Sequence, residues 1–234
     1  MTMRKFRGKG RWYLPLALAL STVVANLPLA GAESRPDLPS GVERPRETSV
    51  LIGLVNQPRT AAARVETFQR EGQSWCACDA DCIGVFRLPL ETLSRVLRDH
   101  ENYPRVFPRI SSNVVRREGP RITESQTVSV NILGINYRKV YTLLGSEQLL
   151  DNPRRLFIQW KQTDSGGSIQ GIEGLWYLEE FVLDGQVHTF VRYRMKSEMP
   201  NLFVPGQAAL VKLFLEADLA ESMRNVARAA GMAD

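Results

Sequence analysis

Ten residues, Asp99-His100-Glu101-Asn102-Tyr103-Pro104-Arg105-Val106-Phe107-Pro108, constrain this chain more than any others. They follow a short helix pattern and precede a long run of strand patterns. Each proline fixes φ and lacks an N–H, so the segment is too stiff to extend the helix and turns the chain toward sheet. Together with the long amphipathic helix that closes the sequence, this turn predicts a curved sheet wrapped around one helix, with a cavity between them. Such a cavity suits the holding of an apolar small molecule better than it suits catalysis.

The first residues have the layout of an export signal rather than of a fold. Arg4, Lys5, Arg7, Lys9 and Arg11 form a basic start, Leu14 to Ala25 an apolar stretch, and Ala30-Gly31-Ala32 a small-x-small cleavage site before Glu33. The apolar run is shorter than the ~20 residues of a membrane span and is broken by Pro15, Asn26 and Pro28. The expectation is therefore a cleaved leader over 1–32 and a periplasmic or secreted protein, with an N-terminal membrane anchor as the alternative. No cysteine follows the apolar stretch, so a lipoprotein is not supported.

Removing the leader changes the charge balance. The whole chain has 30 Lys+Arg against 25 Asp+Glu, and five basic but no acidic residues lie in 1–32, leaving 25 against 25. A neutral remainder lacks the clustered basic footprint of a nucleic-acid binder, and that class is set aside. About 200 residues are enough for one domain with a substantial core. Residues 33–48, rich in Pro, Arg and Glu, read as a flexible linker, and 49–81 as an N-terminal extension holding the cysteines.

All three cysteines fall in Cys76-Ala77-Cys78-Asp79-Ala80-Asp81-Cys82. In an exported chain the first expectation is a disulfide with one thiol left over, Cys78–Cys82 across an Asp79-Ala80-Asp81 turn or Cys76–Cys82. A thiolate metal site helped by Asp79 and Asp81 is the sharper alternative. No histidine lies nearby and paired C-x₂-C knuckles are missing, so no metal or other cofactor is assigned.

Thr60 to Arg70 reads as a short helix, Ile83 to Leu88 as a strand, and Leu90, Leu93, Val96 and Leu97 as one face of a helix opened by Pro89. Period-2 sequence follows from Ser112 to Lys196, with turns at Glu118-Gly119-Pro120, Gly134, Asp151-Asn152-Pro153, Ser165-Gly166-Gly167 and Asp184-Gly185. Consecutive strands on short loops mean an antiparallel meander with one wet face, and the fold class is α+β. After Pro205-Gly206 a helix runs to about Ala230. Its second half is amphipathic through Leu215, Leu219, Met223 and Val226, whereas Leu210, Val211, Leu213, Phe214 and Leu215 make its first half apolar nearly all round.

The order strand, helix, Tyr103-Pro104…Phe107-Pro108, meander, Gly174-Leu175-Trp176-x-Leu178, Pro200…Pro205, long helix resembles the START-like, polyketide-cyclase and lipid-transport superfamily, nearest its coenzyme-Q-binding branch. The resemblance covers about residues 82–232. It implies a helix-grip fold, a curved antiparallel sheet holding a long C-terminal helix over a hydrophobic cavity, and it transfers no catalytic residue.

The less charged strand faces then supply the candidate pocket: Trp160, Ile172, Trp176, Leu178, Val191, Tyr193 and Met195, with Leu156 and Ile158 beside them. Phe203, Leu210 and Phe214 are placed at its mouth. His100 and His188 read as solvated turn residues, and Glu173 and Glu179 as water-facing, so no active site is assembled. The expected partner is an apolar small molecule of the lipid or quinone class, with transient membrane contact; the apolar front of the last helix implies a loop, a ligand, a partner or a membrane against it. The rival readings are a cyclase- or hydrolase-type enzyme using Arg138 or Tyr141, and a protein-docking module.

Overall fold

The alternation read from Ser112 onward produces strands, and it extends further toward the N-terminus than expected. The structure, a computed structural model, describes residues 38–132, 135–150, 154–164, 170–200 and 207–232. Among these residues eight strands form one antiparallel sheet: β1 (Arg59–Arg70), β2 (Gln73–Phe86), β3 (Ile110–Glu118), β4 (Arg121–Ile132), β5 (Ile135–Leu150), β6 (Arg155–Gln162), β7 (Gln170–Leu183) and β8 (Gln186–Pro200). Their spatial order is β1-β2-β8-β7-β6-β5-β4-β3. The helices are α1 (Thr48–Ile52), α2 (Leu90–Arg98), α3 (Tyr103–Val106) and α4 (Gln207–Ala229).

Several expectations hold. Leu90 opens α2, and α4 ends at Ala229. The Asp184-Gly185 hairpin turns with φ of 50° and 74°, the double positive φ that a tight two-residue connection requires. The Pro-rich segment does carry the chain from helix to sheet, but in two steps. A 3₁₀ turn at His100–Asn102 leads into α3, where Pro104 sits in the first turn and gives up no hydrogen bond. The turns expected at Gly134, 151–153 and 165–167 lie outside the described residues.

Residues 60–70 are strand, not helix. Ala61, Ala62 and Ala63 favour helix, but pairing with β2 along the whole of β1 overrides that weak preference. The expected domain boundary at residue 82 falls inside β2, so 49–81 supplies most of α1, all of β1 and most of β2. Nor is the described part of 33–48 a free linker. Val42 is fully buried, Arg44 pairs with Glu179 at 3.1 Å, and Arg192 and Arg194 donate to the carbonyls of Gly41 and Ser40. Asp81 holds both arginines, at 3.0 and 3.1 Å.

This N-terminal strap corrects the one-wet-face expectation. Val42, Leu51 and Leu54 cover the convex side of the sheet over Ile83, Val85, Phe157, Leu175, Tyr177 and Phe190. The concave side carries the second core, where α2 and α4 pack over β2, β6, β7 and β8. His188 belongs to the convex side. It is buried on β8 beside Phe181, with Nδ1 3.0 Å from the Gln186 carbonyl, rather than solvated on a turn.

The cysteine cluster is part of the seat for α4. No turn breaks 76–82; β2 is extended there, so Cys78 and Cys82 stand about 13 Å apart, beyond disulfide reach. Cys76, Cys78 and Cys82 are free thiols, all buried. Strand alternation sends Asp79 and Asp81 to the opposite face, away from the sulfurs. Cys78, Ala80 and Cys82 present small side chains to the core that α4 closes with Leu215, Leu219, Met223 and Val226. Free cysteine packs as a small hydrophobe, which lets the helix axis come close.

Burial raises the Cys78 thiol to about 11 and the Cys82 thiol to about 12, so neither carries thiolate at neutral pH. The expected outcome with a thiol-specific reagent at pH 8 is no reaction in the native protein and three reactive thiols after denaturation. Rapid native titration, or fewer than three thiols on unfolding under non-reducing conditions, would contradict this packing.

Candidate functional site

α4 lies chiefly on β1 and β2. Between one face of α4 and strands β4 to β8 remains a cavity of about 610 Å³. That is well inside the ~300–1,000 Å³ of small-molecule sites. α4 therefore has two working faces. Leu215, Leu219, Met223 and Val226 enter the core, while Val211, Phe214, Asp218, Ser222 and Asn225, at helical spacing, border the cavity. This second stripe explains why the first half of the helix is apolar nearly all round.

Trp160, Ile172, Trp176, Tyr193, Met195 and Phe214 line the cavity as expected, with Ile158 beside them. Leu178 and Val191 do not. They share the concave face but lie further along β7 and β8, where they are fully enclosed in the core beneath α2. Phe203 is outside the described residues, and Leu210 is in α4 with its side chain undescribed.

Trp160 owes the position of its indole to Gly174. Its cross-strand partners are Gly145 on β5 and Gly174 on β7. A Cβ at Gly174 would stand 2.4 Å from Trp160 Cζ2, so the indole can lie across the strand only because that side chain is missing. From Trp160 an arc of rings continues. Tyr193 is 6.0 Å away, stacked on Trp176 at 4.0 Å and 9°; Phe107 follows at 6.4 Å, then Tyr103 at 5.0 Å and His100 at 4.8 Å.

The arc ends on a buried ion cluster that sequence reasoning missed. His100 is 2% exposed, and its Nε2 donates to Glu147 Oε1 at 2.8 Å. Its Nδ1 lies 3.0 Å from Glu124 Oε1, a short ionic contact off the line of a good hydrogen bond. Glu124, 3% exposed, also accepts from Asn113 at 2.6 Å and from Gln126 Nε2 at 3.1 Å. Tyr141 donates to Gln126 Oε1 at 3.3 Å. On the solvent side Arg98 donates to Glu147 at 2.7 Å, with Arg117 at 3.6 Å. Tyr103, donating to the Leu97 carbonyl at 2.6 Å, pins α3 to the end of α2 and so holds His100 in place.

Burial alone would push the His100 imidazole down, but the two carboxylates outweigh it and raise its pKa to about 9. Glu147, also opposed by burial, is brought to about 2 by His100 and Arg98, and Glu124 is lowered chiefly by His100. His100 is thus a fixed imidazolium between two carboxylates, not a base. No period marked these residues in the sequence. Glu124 and Gln126 at i, i+2 inside a strand were the one available sign, since alternation puts both on the face that carries the core.

A second ion pair spans the mouth. Arg109, just after Phe107, meets Asp218 of α4 at 2.7 Å, and both border the cavity. Of the two polar groups named for an enzyme reading, Tyr141 borders the cavity and Arg138 is exposed. Leu213 and Phe214 on the front of α4 are 63% and 41% exposed.

The fold has solved counterparts. A STAR-related lipid transfer protein fragment from Xanthomonas axonopodis superimposes with a TM-score of 0.52 at 9% identity, over 73% of this chain and 99% of that one. Human STARD10 gives 0.51 at 12% identity, over 72% of each chain. No family model matches the chain, and no curated protein matches it. At these identities the likeness is one of fold.

Linkage gives the cluster a pH signature. The raised His100 pKa contributes stability that is fully present below about 6.5 and lost as pH rises through about 9. The depressed Glu147 pKa contributes stability present above about 4.5 and lost as pH falls through about 2. The wild-type thermal midpoint should fall between pH 6.5 and 9. His100→Gln should cost about 3–5 kcal/mol at pH 6 and remove that alkaline slope. An equal slope in the variant would mean that His100 does not titrate as described.

Proposed function

This chain adopts the START-like helix-grip fold, and from that premise we propose that it binds and carries an apolar small molecule in the cavity between the concave sheet and α4. The cavity carries the reading. It is ligand-sized, walled by Trp160, Trp176, Tyr193 and Phe107, and bordered by Met195 and Met199, whose side chains repack around different shapes. Burial of ligand surface at ~25 cal/mol per Å² supplies the affinity. The solved counterpart whose name refers to lipid transfer supports the same class of ligand.

The rim supports a carrier that meets membranes. Leu213 and Phe214 expose large apolar side chains beside the mouth, where a lipid surface would cover them. Phe107 and the Arg109–Asp218 pair border the same cavity as Phe214, and loading would open this rim. Among the described residues no helix is long and apolar enough to cross a membrane. Export through the 1–32 leader completes the proposal. The carrier would then shuttle its cargo between membrane and aqueous phase outside the cytoplasm.

Transfer of diphenylhexatriene between phosphatidylcholine vesicles tests this. The wild-type chain should accelerate transfer, and Leu213→Glu, at an exposed position outside the cavity wall, should slow it while the probe still binds in solution. An unchanged rate in the variant would remove the rim from membrane contact. No acceleration by the wild type would overturn the carrier reading.

A further inference from the structure

Along β4 the residues bordering the cavity are Glu124, Gln126 and Val128, spaced by about 7 Å. The first two belong to the buried polar cluster; Val128 lies opposite Ile110 at the mouth. Gln126 and Tyr141 are direct cross-strand partners, so amide and phenol sit side by side on the cavity wall. We propose, building on the carrier reading, that Gln126 and Tyr141 form a recognition subsite for the cargo's polar end. It takes a neutral hydroxyl or carbonyl oxygen on a ring-bearing amphiphile.

The donor and acceptor inventory carries this. The Gln126 carbonyl accepts from Tyr141 at 3.3 Å, and one amide N–H goes to Glu124 at 3.1 Å. An amide has a second N–H, and a phenol oxygen keeps its acceptor lone pairs. A ligand carbonyl can accept from the amide, and a ligand hydroxyl can in addition donate to Tyr141. The Tyr141 bond is long, so exchanging it for a ligand oxygen loses little. His100 is a positioning residue here. It fixes Glu124, which orients the Gln126 amide.

Charge sets the preference for a neutral end. Both ring nitrogens of His100 already face carboxylates, and Glu124 stands one hydrogen bond behind Gln126, so an anion would meet like charge. Arg109 is engaged by Asp218 at the mouth. Lys139, one cross-strand pair nearer the mouth, is the rival reader and would favour an anion. The ring is specified by the surroundings: Trp160, Trp176 and Tyr193 offer flat faces beside the subsite, where offset stacking adds to burial.

The probes are pyrene, 1-pyrenol and pyrene-1-carboxylate, with affinities read by fluorescence on the purified full chain. Pyrenol should bind about 5- to 10-fold more tightly than pyrene, the worth of one net hydrogen bond. Tyr141→Phe and Gln126→Leu should each shrink that gap to under about twofold. Their unfolding midpoints report whether either variant is merely misfolded. A wild type that binds pyrene without preferring pyrenol overturns the subsite but leaves the carrier reading standing. So does a gap that survives both variants, or a carboxylate that binds most tightly. Failure to bind any of the three overturns the carrier reading, and the subsite with it.

Discussion

A helix laid across a curved sheet either fills the concavity or leaves it open, depending on where it touches down. Here α4 seats on β2, where Cys78, Ala80 and Cys82 offer small side chains, and on Ala63 and Val65 of β1. The Thr60 hydroxyl fastens it further by donating to the Glu216 carbonyl. Because the contact is made at one side of the sheet, the other side stays uncovered. That uncovered area, over β4 to β8, is the cavity. Cys78 and Cys82 thus matter here for their size, not their redox chemistry.

Opposite this seat the sheet is fixed by charge. The His100 imidazolium sits between Glu124 of β4 and Glu147 of β5, and so joins the 3₁₀ turn after α2 to two strands. Taking His100 away would leave Glu124 buried without its counter-charge, so the cluster depends on the imidazolium. It also sets the polarity of the site. Rings from Trp160 to Tyr103 form an apolar wall, and the wall ends on fixed dipoles rather than on water. One cavity therefore combines a surface for an apolar body with a small number of oriented polar groups.

Much of this was legible in the sequence. Period-2 alternation from Ser112 onward identified the inward faces of β6, β7 and β8, and with them Trp160, Ile172, Trp176, Tyr193 and Met195. The same alternation could not tell cavity from core, because Leu178 and Val191 share the face and differ only in lying beneath α2. The convex core was also written there. Phe157 between Leu156 and Ile158, and the run Leu175 to Leu178, are apolar on both faces, a pattern that belongs to a sheet covered twice. β1 was hidden by its alanines, whose helical preference yields to pairing. His100 was hidden for a different reason: its two carboxylates come from positions 124 and 147, and only the folded meander brings them together.

The central claim is that the space under α4 holds an apolar guest. Native mass spectrometry of the purified full chain, followed by solvent extraction, tests that directly. The account predicts protein carrying a reproducible extra mass that extracts into organic solvent as a neutral apolar molecule. A bare protein mass that stays bare after incubation with apolar lipids would contradict it.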